Sequence, residues 1–345
     1  MKILMIGLYN LNYYPRGKVI YMGLLKSNIE TEVFAPTKFK IFSLVKRILK
    51  KDYDILIVTG KPAFWTSKLL QFLHRKKIIF DVFISDYDNL VIDRKTVKKG
   101  SLFAKLLWLS DKYSCKLSDV VIHDTKEHIA YFVKEFCLKK SLFNEVFVGS
   151  DDSMFYPIEK PQTKEFIVSF YGTFIPVHGV EYILGAAKLL EHENIVFELT
   201  GKGQTYEDMI KLKEKLRLKN ANFLGPVPIE KLPERIARGD VCLGIFGNTP
   251  RALRVIPTKA FDIIAMKKPL VSADSPTMRR VFSHKKNVYL CKVADAKSLA
   301  GAIIALKNKK LRDKIAEGGY KLYRECASPE IIGRQVLKIT KRLIN

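Results

Sequence analysis

Acidic side chains are scarce in this sequence: 35 Asp and Glu stand against 60 Lys and Arg, leaving a formal charge of +25 over 345 residues. Such an excess attracts polyanions, which means nucleic acid, an anionic membrane surface or a phosphorylated substrate. Long apolar runs are absent too. No stretch approaches the roughly 18 residues that cross a bilayer. The apolar run in MKILMIGLYN is too short for a signal peptide and reads as a first strand. The five cysteines (Cys115, Cys137, Cys242, Cys291 and Cys326) are odd in number, scattered and free of any C-x-x-C pair. That excludes a disulfide frame and a zinc site, and fits reduced, mostly packed thiols in a cytoplasmic protein. Neither a short repeat nor a low-complexity tract occurs. Zinc spacings and RNP-like strands are also missing, so no specific nucleic acid is expected.

What is present is globular: 48% hydrophobic and 28% charged residues, over a length that suits two domains of roughly 150 residues. Short β-branched runs alternate with helical patterns. KILMIGL, TEVFAP, DILIVTG, KIIFDVF, VVIHD and EVFVGS read as strands of the first half. FIVSFYG, IVFELTG, NFLG, VCLGIFG, PLVSAD and NVYL read as strands of the second. SLFAKLLWLSDKYSCKLSD and TKEHIAYFVKEF are helical patterns between strands. Near-continuous apolar strands in this alternation predict an α/β protein with parallel sheets covered by helices on both faces, in two doubly wound Rossmann-like domains. The polar stretch DDSMFYPIEKPQTKEF carries two prolines and places a linker near residues 152–164. SPEIIGRQVLKITKRLIN is a last helical pattern with no strand after it.

In such sheets ligands bind beyond the carboxyl ends of the strands, and in a pair of domains the cleft between them is the natural site. The loop GLYNLNYYPRGKVI lacks the G-x-G-x-x-G dinucleotide pattern. It is either an ordinary strand–helix loop or an acceptor or phosphate contact through Arg16. In FYGTFIPVHG, Gly172 and Gly179 permit sharp turns around Pro176, and Thr173 and His178 face the space before the next helix. In ELTGKGQ, Gly201, Lys202 and Gly203 offer bare backbone and a cation to an anion. NFLGPVP presents Phe223, Leu224 and Gly225 for backbone contact with a flat ring. RVIPTKAFDII places Pro257 and Thr258 in the first turn of a helix, with Lys259 and Asp262 on one face of it. They could hold a phosphate and a sugar hydroxyl, or form an i,i+3 salt bridge on a solvated face. D-x-D occurs at Asp52/Asp54 and at Asp86/Asp88, and both are read as chance.

The order of FYGTFIPVHGVEYILGAAKLL, ELTGKGQ, NFLGPVP and IPTKAFDIIAMKKPLVSAD resembles the second domain of the group 1 retaining glycosyltransferases, which have the GT-B fold. In the first half, DYDNLVIDRK, HDTKEHIAYF and FVGSDDSMFYP look similar to a bacterial and archaeal branch of that family. The resemblance implies an acceptor-side domain at residues 1–155 and a donor-side domain at 165–327, with a helix at 328–345 returning toward the first. It implies a nucleotide-sugar donor and no essential cofactor or metal. Gly172 and Thr173 fall where many members have Gly-Arg, and His178 where they often have Lys. Lys202, with Gly203 beside it, Arg254 and Lys259 would then supply the charge for the diphosphate. Phe223 to Gly225 match the base-binding segment, and Asp262 matches the second acid of the E-x7-E motif, which meets the ribose. Arg254 stands at the first acid. Asp81 is the nearest candidate to the family's His, so Asp81, Arg254 and Lys259 are the implied catalytic residues. Arg16 and Asp86 fall on the acceptor side.

An acceptor that is a lipid-linked or cell-envelope glycan would place the enzyme at the inner face of the cell membrane. Two basic, apolar segments suit an anionic lipid surface: KFKIFSLVKRILKK and DRKTVKKGSLFAKLLWLSDK. In the first, Ile41, Val45 and Ile48 form one line flanked by Leu44 and Leu49, and for that line packing on the sheet is the favoured reading. Rival readings are a nucleotide-sugar-binding protein without catalysis and a basic nucleic-acid-binding protein.

Overall fold

A computed structural model describes residues 1–7, 14–35 and 41–344, the side chain of Ile41 excepted. Most of the loop after the first strand and the first three residues of the Lys38–Lys51 segment lie outside the described residues. The chain divides into two units, Met1–Asp151 with Cys326–Asn345, and Asp152–Glu325.

The first unit holds strands β1 (Lys2–Ile6), β2 (Glu30–Phe34), β3 (Ile55–Thr59), β4 (Lys77–Asp81), β5 (Val120–His123) and β6 (Phe143–Glu145). They form one sheet in the order β2-β1-β3-β4-β5-β6, paired in parallel throughout. The second unit holds β7 (Phe166–Tyr171), β8 (Ile195–Thr200), β9 (Ala221–Gly225), β10 (Val241–Leu243), β11 (Leu270–Ala273) and β12 (Tyr289–Cys291). Their order is β12-β11-β10-β7-β8-β9, again parallel. The α/β class and doubly wound sheets expected from the alternation are therefore what the chain forms. The physical reason is visible in β3, whose ILIVT is buried at every position because helices cover both faces.

One face of the first sheet packs Leu4, Leu56, Val58 and Phe80 against Leu44, Phe64 and Phe132. The other packs Ile3, Ile55 and Ile57 against Val19, Ile20, Ile332 and Val336. The last two belong to the final helix, Pro329–Ile344, which lies on helix Pro15–Lys26. A Cβ on Gly23 would come within 2.0 Å of the Pro329 carbonyl oxygen, and one on Gly333 within 2.1 Å of the Gly23 backbone. The two helices thus cross with backbones touching.

Two strand expectations need correction. EVFVGS is not a strand: β6 is Phe143–Glu145, the Val146 N–H makes a last bond to the His123 carbonyl of β5 at 2.8 Å, and by Ser150 the chain has left the sheet, the Ser150 N–H donating to the Ala327 carbonyl at 3.1 Å. In VCLGIFG the strand stops at Leu243. A Cβ on Gly244 would lie 2.5 Å from Ser272 Oγ, so the chain passes too close to β11 for any other residue. The cysteines are all free, three of them buried and Cys137 exposed.

Candidate functional site

In each sheet the strand order reverses once, between β1 and β3 in the first and between β7 and β10 in the second, and such switch points open crevices at the carboxyl ends of the strands. In the second unit the crevice is built on glycine. Gly172 follows β7 at φ 148°, Gly201 follows β8 at φ 135° and Gly225 closes β9 at φ 69°. The Gly172 N–H donates to the Thr200 carbonyl at 3.0 Å, and the Gly201 N–H to the Gly225 carbonyl at 2.8 Å. A Cβ on Gly201 would fall 2.0 Å from the Gly172 carbonyl oxygen. Three strand ends are therefore stitched into one row, which only bare backbone permits. Beyond β10, the Phe246 N–H donates to the His178 carbonyl at 3.0 Å, fixing the Pro176–Gly179 turn over the switch point.

Helix Thr258–Ala265 brings the charge. It begins after Pro257, with no side chain capping its first turn. Lys259 is only 5% exposed. Its Nζ lies 4.0 Å from the Phe170 ring centroid and 5.8 Å from that of Tyr171, and has no hydrogen-bond partner. A Cβ on Gly172 would sit 2.6 Å from that nitrogen, so the amine stands directly over the bare α-carbon of Gly172. Burial drives the Lys259 amine well below the usual lysine range, against the pull of Asp262. Asp262, one helical turn on, accepts the Tyr171 hydroxyl at 2.8 Å and is itself buried. His178 bonds through Nδ1 to the Thr173 carbonyl, which assigns its proton to Nδ1. Burial, and then the nearby Lys259, hold that imidazole well below its usual pKa and therefore neutral.

The first unit has a cavity of about 400 Å³ beyond the ends of β3 and β4, with Tyr14, Lys61, Asp81, Asp86 and Asn89 in its wall. Arg16 Nε meets Asp81 Oδ1 at 2.7 Å, the Tyr14 hydroxyl donates to Asp81 Oδ2 at 2.7 Å, and Arg16 Nη1 donates to the Val146 carbonyl at 2.7 Å. Lys61 joins Asp86 to the fully buried Asp111, at 2.6 Å from the latter. In the same unit, Asp124 Oδ1 takes His123 Nδ1 at 2.6 Å and His128 Nδ1 at 2.7 Å. Among the described residues this is the one cluster of three His or acidic groups close enough to hold a metal ion. Burial opposes the charge on Asp124, but the two imidazoles outweigh it and hold the carboxyl well below the usual range.

Residues 155–322 match the family of glycosyl transferases group 1. The chain carries a group 1 glycosyl transferase domain: it is a glycosyltransferase. A sequence search against curated proteins finds no match. Solved structures share the fold over nearly the whole chain. HepE from Anabaena in complex with UDP-glucose is 15% identical, with a TM-score of 0.73, covering 99% of this chain and 100% of its own. Sucrose-phosphate synthase from Thermosynechococcus elongatus is 15% identical at a TM-score of 0.76, covering 99% of each chain. A mutant of S. aureus TarM in complex with fondaparinux, alpha-GlcNAc-glycerol and UDP is 16% identical at 0.67, covering 88% of this chain and 59% of its own. The fold class is GT-B.

In the glycosyltransferase, Gly172, Thr173, His178, Lys259 and Asp262 come together around the switch point of the second sheet, with Gly203 alongside: a Cβ there would meet the Phe174 backbone at 2.5 Å. Lys202 is exposed and lies over the Tyr206 ring at 5.7 Å. Phe223 packs its side chain on Phe174 and Tyr206, each at 5.7 Å, leaving Leu224 and Gly225 to end the strand. Arg254 is half-buried in the turn ahead of Pro257, where its N–H donates to the Arg251 carbonyl at 2.9 Å. The solvated-face reading of Lys259 and Asp262 is overturned, since both are buried and Lys259 Nζ is unpartnered. Arg16 needs correction as well. It is 0% exposed and held by Asp81, so it cannot reach an acceptor, and Asp81 is engaged by Arg16 and Tyr14 at once. The D-x-D acids are likewise engaged: Asp52 with Arg47, Asp54 with the Lys2 N–H, and Asp86 with Lys61. Sequence reasoning missed Tyr171 and Lys61. For Lys61 a signal existed in G-K-P directly after β3. Tyr171 reads as one more apolar strand residue.

Proposed function

We propose that the glycosyltransferase moves a sugar from a nucleotide-sugar donor, held on the second unit, to a hydroxyl of a lipid-linked or cell-envelope glycan, with retention and without an essential metal. The observation that carries the donor site is Lys259. A nine-tenths buried amine with no acceptor, poised over bare glycine backbone at a helix start, is a site short of one anion. Cleaving a sugar–diphosphate bond builds negative charge on the leaving phosphate, which a fixed cation in a dry site stabilises strongly. Gly172 and Gly201 let the diphosphate approach the backbone, Asp262 meets the ribose, and the Phe223–Gly225 segment meets the base through its main chain. Lys202 and Arg254 add charge at the rim. Asp86, in the wall of the first unit's cavity, serves the acceptor, while Asp81 acts through its place between Arg16 and Tyr14. The complexes of HepE and TarM with UDP make UDP-linked sugars the first donors to try. Among the described residues no helix is long and apolar enough to cross a membrane, and a lipid-linked acceptor then calls for peripheral contact at the inner face of the membrane.

Calorimetry with a panel of nucleotide sugars tests this. One donor should bind, and Lys259→Ala and Asp262→Ala should each weaken it by about tenfold or more. A folded protein that binds none, or variants with unchanged affinity, would overturn the donor site. Arg254, standing where the family has an acid, favours a second reading as a nucleotide-sugar-binding protein without catalysis. Donor binding without transfer to any lipid or glycan acceptor, and without hydrolysis, would support that reading.

A further inference from the structure

Helices Ile41–Leu49, Lys61–Leu69, Gln71–His74 and Leu102–Lys116 pack beside one another on one face of the first sheet. Their inward residues, among them Leu44, Ile48, Phe64 and Cys115, complete the core of that face. The outward side is also apolar. Phe42 is 83% exposed, Leu102 75%, Phe72 73% and Leu69 71%, with Phe103 and Leu106 above half. One exposed leucine is ordinary, but six large apolar side chains on adjoining helices are not. The charge around them is one-sided. Residues 41–51, 61–76 and 94–116 carry fifteen Lys and Arg and one carboxylate, Asp111. Asp111 is fully buried and paired with Lys61, so none of these segments turns an acid to solvent.

We propose that this helical face docks on an anionic lipid bilayer. The Phe and Leu side chains enter the boundary between headgroups and acyl chains, and the surrounding cations lie at phosphate level. Charge complementarity selects this occupant: a nucleic acid would use the cations but leave the aliphatic side chains in water, and a bilayer takes both. The geometry also bears on the acceptor, and here the inference rests on the lipid-linked acceptor proposed above. Lys61 and Pro62, at the start of helix Lys61–Leu69, line the 400 Å³ cavity, while Leu69 at its end lies on the docking face. Eight residues of helix separate them by about 12 Å. A glycan carried by a lipid in the docked bilayer would thus meet the cavity within a few sugar units.

The test is flotation of the full chain with phosphatidylcholine vesicles, with and without phosphatidylglycerol. Binding is expected only to the anionic vesicles. A Leu69→Ser/Phe72→Ser double variant should lose about tenfold or more of that binding, and Lys98→Gln, Lys99→Gln and Lys105→Gln about fivefold each. All five side chains are outside the core, so thermal melts should be unchanged. Vesicle binding that ignores the Leu69/Phe72 change and is competed away by RNA would overturn the proposal in favour of a polyanion surface. A stable dimer by light scattering with no vesicle binding would overturn it in favour of self-association. Donor calorimetry needs no lipid, so failure here and failure of the donor site are separate results.

Discussion

If Lys259 is the phosphate ligand, donor binding must carry a proton with it. The buried amine has a pKa well below its ordinary value because it lacks a partner. A diphosphate placed against Nζ supplies opposite charge and hydrogen-bond acceptors, both of which raise that pKa. In the window between the free and bound pKa values, each donor bound therefore takes up close to one proton. Affinity should then fall with rising pH by about tenfold per pH unit. The perturbation is Lys259→Met, which keeps the volume against Phe170 and Tyr171 and removes the titrating group. It should abolish the proton uptake, flatten the pH dependence and weaken the donor. It should also stabilise the free protein by about 1–3 kcal/mol, the cost of an unsatisfied buried polar group. The sign of the pH effect on stability can be worked out. A lysine with a depressed folded pKa binds more protons when unfolded, so the wild type gains stability as pH rises toward about 10.4. The advantage of Lys259→Met should consequently be largest near neutrality and shrink in alkali. Calorimetry in two buffers of different ionisation enthalpy reads the proton count directly. Donor binding by the wild type with no proton uptake anywhere from about pH 7 to pH 10 would refute the reasoning.

Three further outcomes are expected. Gly201→Ala should destabilise the second unit by at least about 2 kcal/mol and unmake the glycine row, since its φ of 135° and the Gly172 carbonyl at 2.0 Å leave no room for a Cβ; a denaturant midpoint within error of wild type would count against that geometry. Arg16→Met should cost about 3–5 kcal/mol by stranding the buried Asp81 carboxylate, whereas Arg16→Met/Asp81→Leu should recover much of the loss; an Arg16→Met protein of full stability would return Arg16 to the acceptor side. Acid should weaken the first unit in two steps. Burial lowers the His123 pKa against the pull of Asp124, so stability is full above about pH 6.5 and declines below it. The depressed Asp124 adds a second decline below about pH 3.9. Chemical denaturation of wild type and His123→Phe across this range should show a smaller first step in the variant, the remainder belonging to His74, whose pKa burial also lowers.

Much of this molecule was legible in its residues, and the limits follow from physics. Strand and helix alternation, the glycines after β7, β8 and β9, and the i,i+3 spacing of Lys259 and Asp262 are local properties that side-chain period and backbone freedom carry in the chain itself. The errors arose where another segment decides. EVFVGS has strand composition, yet after the Val146 N–H meets the His123 carbonyl the chain leaves β5, and Ser150 pairs with Ala327 instead. In Ile41–Leu49 the expected apolar line holds at Ile48, but Val45 is only half-buried, Leu44 is buried in full and Phe42 is left in water. Arg16 looks like any loop cation until Asp81, 65 residues away, is seen to hold it.

The sequence by itself determined the class of the fold, the order of its glycine-rich loops, the one-sided charge and the group 1 glycosyl transferase domain at residues 155–322. Tertiary structure alone decided which charges are already used. It paired Arg16 with Asp81 and Lys61 with Asp111, and left Lys259 unpartnered over Gly172. Spacing along a chain sets which face a side chain occupies, but only packing removes water, and a buried charge is costly or useful according to what stands within a few ångströms of it.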